Sequence, residues 1–213
     1  MIPRDAANAA EEICRLAPVI PVLVVHDVAH AIPLAEALIK GGLPALEVTL
    51  RTPAALEVIA EMSKVEGGAV GAGTVLTPED AADAKTAGAV FAVAPGATDL
   101  LLDSCEAVEL PLLPGASSAT EAMRLLERGY RVQKFFPAEA AGGAKFLKAL
   151  SSPLPQISFC PTGGVSRLNA PDYLTLPNTL CVGGSWVAPN ALVEAGDWAA
   201  ITELAAEAAA LSR

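Results

Sequence analysis

Short apolar, β-rich segments recur along the chain, beginning near Val19, Ala45, Ala69, Val90, Leu110, Arg131, Ile157 and Leu180. The interval of roughly 20–26 residues fits one strand, two loops and one helix, and eight such units would close a (β/α)8 TIM barrel. Helix signals fill the gaps. Thr77-Pro78-Glu79-Asp80 supplies a cap, a first-turn proline and two acids, and Gly88 ends that segment. Asp27 could cap the stretch that stops at Gly41-Gly42, with Pro33 predicting a kink or a late start. Trp198, Ile201, Leu204, Ala208 and Leu211 keep helical spacing, and residues 5–16 read as an extra N-terminal helix before the first strand. No linker or low-complexity stretch interrupts the cadence, so residues 1–213 read as a single α/β domain. An open, doubly wound sheet would alternate in the same way, and periodicity alone does not separate the two.

Two strands carry residues that a covered strand should not contain. In Ala45-Leu46-Glu47-Val48-Thr49-Leu50-Arg51, alternation puts Glu47, Thr49 and Arg51 on one face and Leu46, Val48 and Leu50 on the other. Helices cover the outside of a parallel sheet, so the polar face points inward, where a charge needs a partner or a ligand. A Glu47–Arg51 ion pair would satisfy that need structurally. Arg51 also falls at the C-terminal end of its strand, where barrels build active sites. In Arg131-Val132-Gln133-Lys134-Phe135-Phe136-Pro137, Lys134 shares a face with Val132 and Phe136. Burial there favours the neutral amine, the species that attacks a ketone to form an imine. The structural alternative is a lysine that snorkels outward or neutralises Glu47. Together, Glu47 and Lys134 offer a nucleophile with an adjacent proton shuttle.

Glycines and small hydroxyls mark the other strand ends: Gly71-Ala72-Gly73-Thr74, Ala94-Pro95-Gly96, Pro114-Gly115, Pro161-Thr162-Gly163-Gly164 and Gly183-Gly184-Ser185-Trp186. Paired glycines after the last two strands expose backbone N–H groups, as a phosphate site requires, although each alone also suits a tight turn. Arg51 and Thr74 would suit a carboxylate.

Composition narrows the field. A hydrophobic fraction of 53% with 18% charged residues describes a globular chain, with no apolar run long enough for a bilayer. The N-terminus lacks the basic-then-apolar order of a signal peptide, which points to the cytoplasm. Net charge of −10 and only two tryptophans and two tyrosines argue against nucleic acid and anionic membrane surfaces. Cys14, Cys105, Cys160 and Cys181 form no C-x-x-C pair and read as free buried thiols. His26 and His30 are the only histidines and lie far in sequence from Glu47, so metal catalysis is not expected and they read as surface or helix-end residues. No cofactor is called for.

Pro21-Val22-Leu23-Val24-Val25, Leu46-Glu47-Val48-Thr49-Leu50-Arg51-Thr52, Gly71-Ala72-Gly73-Thr74-Val75-Leu76, Lys134-Phe135-Phe136-Pro137-Ala138-Glu139, Phe159-Cys160-Pro161-Thr162-Gly163-Gly164 and Gly183-Gly184-Ser185-Trp186 resemble the 2-keto-3-deoxy-6-phosphogluconate (KDPG) and 4-hydroxy-2-oxoglutarate (KHG) aldolases. The likeness runs from about residue 8 to the C-terminus, in order. It implies a homotrimeric (β/α)8-barrel lyase that splits KDPG, a keto-acid sugar phosphate, into pyruvate and glyceraldehyde 3-phosphate. It also implies Lys134 as the imine-forming lysine and Glu47 as the proton shuttle. Arg51 and Thr74 would hold the pyruvate carboxylate, with Thr162 nearby and Pro95 and Phe136 packed around the imine. Backbone at Gly163, Gly164, Gly184 and Ser185 would take the phosphate. Val25-His26-Asp27 departs from the family, whose members carry a lysine there. KHG cleavage keeps the chemistry with an unphosphorylated substrate. A phosphate-binding isomerase that uses Lys134 only as a charge, and a non-catalytic sugar-acid sensor, are the competing classes.

Overall fold

The computed structural model describes residues 1–212. After helix α1 (Pro3–Arg15), strands and helices alternate in the expected cadence. The chain continues through β1 (Val19–Leu23), α2 (Ala31–Lys40), β2 (Ala45–Thr49), α3 (Ala55–Met62), β3 (Ala69–Gly73), α4 (Pro78–Thr86) and β4 (Phe91–Val93). Next come α5 (Asp99–Ala107), β5 (Leu112–Leu113), β6 (Gly115–Ala116), α6 (Ala119–Glu127), β7 (Val132–Phe135) and α7 (Gly143–Leu150). The last elements are β8 (Ser158–Pro161), α8 (Ala170–Leu174), β9 (Val182–Gly184), α9 (Asn190–Ala195) and α10 (Trp198–Ala209).

Local chemistry explains the boundaries. Thr77 and Asp80 form the expected reciprocal cap on α4: the Asp80 N–H donates to Thr77 Oγ1 at 3.1 Å, and the Thr77 N–H to Asp80 Oδ2 at 3.0 Å. Asp27 caps only a 3-10 turn, Val28–His30, and α2 begins after it with Pro33 in its first turn. Proline is tolerated there because the first N–H groups of a helix have no partner within it.

The strands pair in parallel, in the order β5-β4-β3-β2-β1-β9, with a second set β6-β7-β8. Isolated parallel bridges at Phe159–Thr179 and Thr162–Gly183 link the β8 segment to the approach to β9 and to β9 itself. The fifth expected strand is split. Pro114 separates β5 from β6, since it has no N–H for the ladder, and its carbonyl accepts the Lys134 N–H at 2.8 Å.

Two apolar clusters follow from the two faces of these strands. Leu46, Val48, Val70 and Ala72 face the helices. Ile20, Ala45, Phe91, Val93, Leu113, Val132 and Cys160 pack on the inner face, where Ala10 and Cys14 of α1 join them. Continuing the same alternation toward the C-terminal strand ends reaches Glu47, Lys134 and Thr162, all buried. The inner face therefore runs from apolar to polar along the strands, and the polar end is where chemistry becomes possible. All four cysteines are free and buried, and among the described residues no helix is long and apolar enough to cross a membrane.

Phe91 fills the inner cluster above Gly71, where an added Cβ would meet its ring at 2.4 Å. Phe91→Ala should lower the unfolding free energy by about 3–5 kcal/mol in chemical denaturation, the cost of an aromatic-sized cavity. A change below about 1 kcal/mol would contradict a rigid inner layer.

Candidate active site

Strand β7 carries Lys134 and β2 carries Glu47 to the same buried point. Lys134 Nζ donates to Glu47 Oε1 at 3.2 Å, and the two side chains are 4% and 3% exposed. The partner of Glu47 is thus Lys134, not Arg51. Lys134 does not snorkel: its Nζ lies 5.3 Å from the centre of the Phe136 ring. Gly73 makes the room, since a Cβ there would lie 2.4 Å from Glu47 Oε1. An amine and a carboxylate within one hydrogen bond, away from water, can exchange a proton and serve nucleophilic and acid–base steps.

Arg51 follows β2, with an exposed side chain whose Nε donates to Thr74 Oγ1 at 3.1 Å. Thr74 adopts φ 61°, in the left-handed region that a β-branched residue rarely occupies, at the end of β3. Such outliers concentrate at functional sites. The expected carboxylate pair therefore comes together.

A cleft of about 520 Å³ opens at the C-terminal strand ends. Arg51, Phe136, Thr162, Gly163, Gly164, Gly184 and Ser185 line it, along with Val22 and Val24 of the first-strand motif and Asn190, which the sequence did not single out. Glu47, Lys134 and Thr74 are not on that lining, and Phe136 and Arg51 connect them to it. Gly163 and Gly164 have φ values of 95° and 78°, so both need glycine. Gly183 makes a further contribution, because a Cβ there would lie 2.2 Å from Thr162 Oγ1. Its signal, a glycine on the inner face of a strand, was present in the alternation.

Pro95 lines a second cavity of about 350 Å³ with Gly115, Arg124 and Arg128, and its backbone lies against Gly115, where an added Cβ would meet the Pro95 carbonyl at 2.3 Å. Gly115 is the residue that pairs with Lys134. His26 and His30 border a third hollow with Asp27 and Glu194 that shares Val24 and Asn190 with the main cleft. His30 ends the 3-10 turn and meets Trp198 edge-on, with ring centres 5.7 Å apart.

Known proteins show the same arrangement of chain. A KDPG aldolase from Pseudoalteromonas atlantica is 53% identical over 203 residues, covering 95% of this chain and 94% of the relative. The crystal structure of the Zymomonas mobilis KDPG aldolase with 3-phosphoglycerate matches with a TM-score of 0.92 and 50% identity, over 97% of this chain and 98% of that one. The Legionella pneumophila KDPG aldolase, with pyruvate captured as a covalent carbinolamine, matches with a TM-score of 0.91 and 46% identity, over 94% and 98%. The parallel α/β fold and these likenesses define a carbon–carbon lyase of the aldolase type. The chain belongs to the KDPG and KHG aldolase family, whose model matches residues 10–204.

Gly73→Ala should push the Glu47 carboxylate off Lys134 and lower kcat by on the order of a hundredfold, within the usual worth of one acid–base group. The measurement is steady-state cleavage alongside a thermal melt. An unchanged kcat in a folded variant would show that the close approach of Gly73 and Glu47 has no part in turnover.

Proposed function

We propose that the protein cleaves KDPG to pyruvate and glyceraldehyde 3-phosphate through an imine on Lys134. The observation that carries this reading is the buried Lys134–Glu47 pair at 3.2 Å. Proton transfer within the pair leaves a neutral amine, which attacks C2 of the keto acid. Glu47 then protonates the carbinolamine hydroxyl, and water leaves to give the protonated imine. Glu47, again a carboxylate, takes the proton from the C4 hydroxyl. The C3–C4 bond breaks, its electrons pass to the imine nitrogen, and the aldehyde departs. Protonation of the enamine at C3 by Glu47 and hydrolysis of the imine release pyruvate and restore the amine. The scheme uses no metal or cofactor.

Arg51 and Thr74 hold the pyruvate carboxylate in this reading, with Thr162 nearby and Phe136 and Pro95 packed around the imine. The phosphate lies at Gly163, Gly164, Gly184 and Ser185. Two relatives support this direction: the Legionella protein holds pyruvate as a carbinolamine, and the Zymomonas protein binds 3-phosphoglycerate. KHG is the second substrate, because the family pairs the two activities. Further parts of the reading are a single domain over residues 1–213, a closed eight-stranded barrel with β5 and β6 as one strand, a homotrimer and a cytoplasmic site of action.

Lys134→Arg should reduce cleavage to the assay background, because a guanidinium is no nucleophile, and wild-type turnover should persist fully in EDTA. Partial activity in Lys134→Arg would instead favour a lysine acting only as a charge. Backbone donors to a dianion predict kcat/KM for KDPG above that for KHG by on the order of a hundredfold. Equal values would make KHG the better description of the substrate.

A further inference from the structure

The turn between β8 and α8 has its carbonyls held from behind. The Gly163 carbonyl accepts the Glu139 N–H at 3.1 Å, and the Gly164 carbonyl accepts Asn169 Nδ2 at 3.1 Å. In a trans peptide the N–H points opposite to the carbonyl it is joined to. Fixing these two carbonyls therefore fixes the N–H groups of Gly164 and Val165 on the other side. Both residues line the cleft, and among the described residues neither N–H donates to another group of the chain. A pair of free, oriented amides in a turn with left-handed glycines forms an anion-binding concavity.

Helix α8 is the source of the hold. Asn169 immediately precedes it, and its Oδ1 accepts the Ser166 N–H at 2.7 Å and the Ser166 hydroxyl at 3.1 Å, which orients the amide so that Nδ2 faces Gly164. One turn later, the buried Tyr173 donates its hydroxyl to Glu139 Oε1. The Glu139 side chain lies directly against Gly164, where an added Cβ would come within 2.6 Å of its Cγ. Burial, and then the bond to Glu139, push the Tyr173 phenol well above its usual range, so it remains a donor. The Glu139 carboxylate is thereby tied toward α8, and its negative charge is kept from turning to the anion side.

We propose that Asn169 and Tyr173 are positioning residues for the substrate phosphate: Asn169 sets the 164–165 peptide directly, and Tyr173 sets the 163–164 peptide through Glu139. This rests on the reading of the glycine turn as the phosphate site. Neither residue touches the reacting atoms, so their effect falls on binding of the phosphorylated end.

The test compares Asn169→Ala and Tyr173→Phe with wild type on KDPG and on unphosphorylated KHG, and measures inhibition of KHG cleavage by inorganic phosphate. Tyr173→Phe keeps the buried volume and so guards against a folding artefact. Expected is a rise on the order of tenfold in KM for KDPG and in the phosphate inhibition constant, with kcat and KM for KHG unchanged. Equal losses on both substrates, or an inhibition constant that stays at the wild-type value, would overturn the positioning role while leaving the phosphate site standing. Wild type that is indifferent to inorganic phosphate would overturn the phosphate site itself, and this proposal with it.

Discussion

An ammonium and a carboxylate buried together, with 4% and 3% of their surfaces exposed, constrain everything around them. Either charge alone in that position would cost several kcal/mol, so each residue makes the other tolerable. The constraint reaches into the strands. Lys134 and Glu47 come from β7 and β2, which are not neighbours in either sheet, so their meeting requires the inner faces of the two sheets to converge. It requires a glycine at position 73 and an aromatic wall at Phe136. Below the pair, the inner cluster from Val132 to Phe91 keeps water out.

The same arrangement gives the site a direction. Arg51 and Thr74 form a cationic, hydroxyl-bearing corner at the ends of β2 and β3. The cleft then passes Phe136 and Thr162 to the glycine turns after β8 and β9. In the proposed reading, a keto acid laid along it would place its carboxylate, carbonyl and distal phosphate against three different kinds of group. Such an order would let a chain with a net charge of −10 take an anionic substrate, because local donors, not global charge, set the potential in a cleft.

Much of this was legible in the chain because it depends on period and spacing. All eight expected strand starts fall within two residues of an observed strand, α10 lies where helical spacing put it, and α1 spans Pro3–Arg15 where residues 5–16 were expected to be helical. The inward polar residues Glu47, Thr49 and Lys134 followed from alternation, and all are buried. What alternation leaves open is which distant groups meet. It allowed Glu47 to pair with Arg51, whereas the convergence of β2 and β7 gives it Lys134. It placed Pro95 at a strand end without showing that its backbone lies against Gly115, the residue that pairs with Lys134. The interruption at Pro114 was visible as a proline yet not as a break in pairing. Asn169 and Tyr173 were invisible for a plainer reason: they act on a turn through contacts that no periodicity encodes.

The proposed chemistry requires Lys134 to be the nucleophile. Incubation with pyruvate and borohydride, followed by peptide mapping by mass spectrometry, tests this directly. The predicted result is one reduced pyruvate adduct, on Lys134 alone, with loss of activity in step with its formation. No adduct, or an adduct on Lys145, Lys148 or any other lysine, would contradict it.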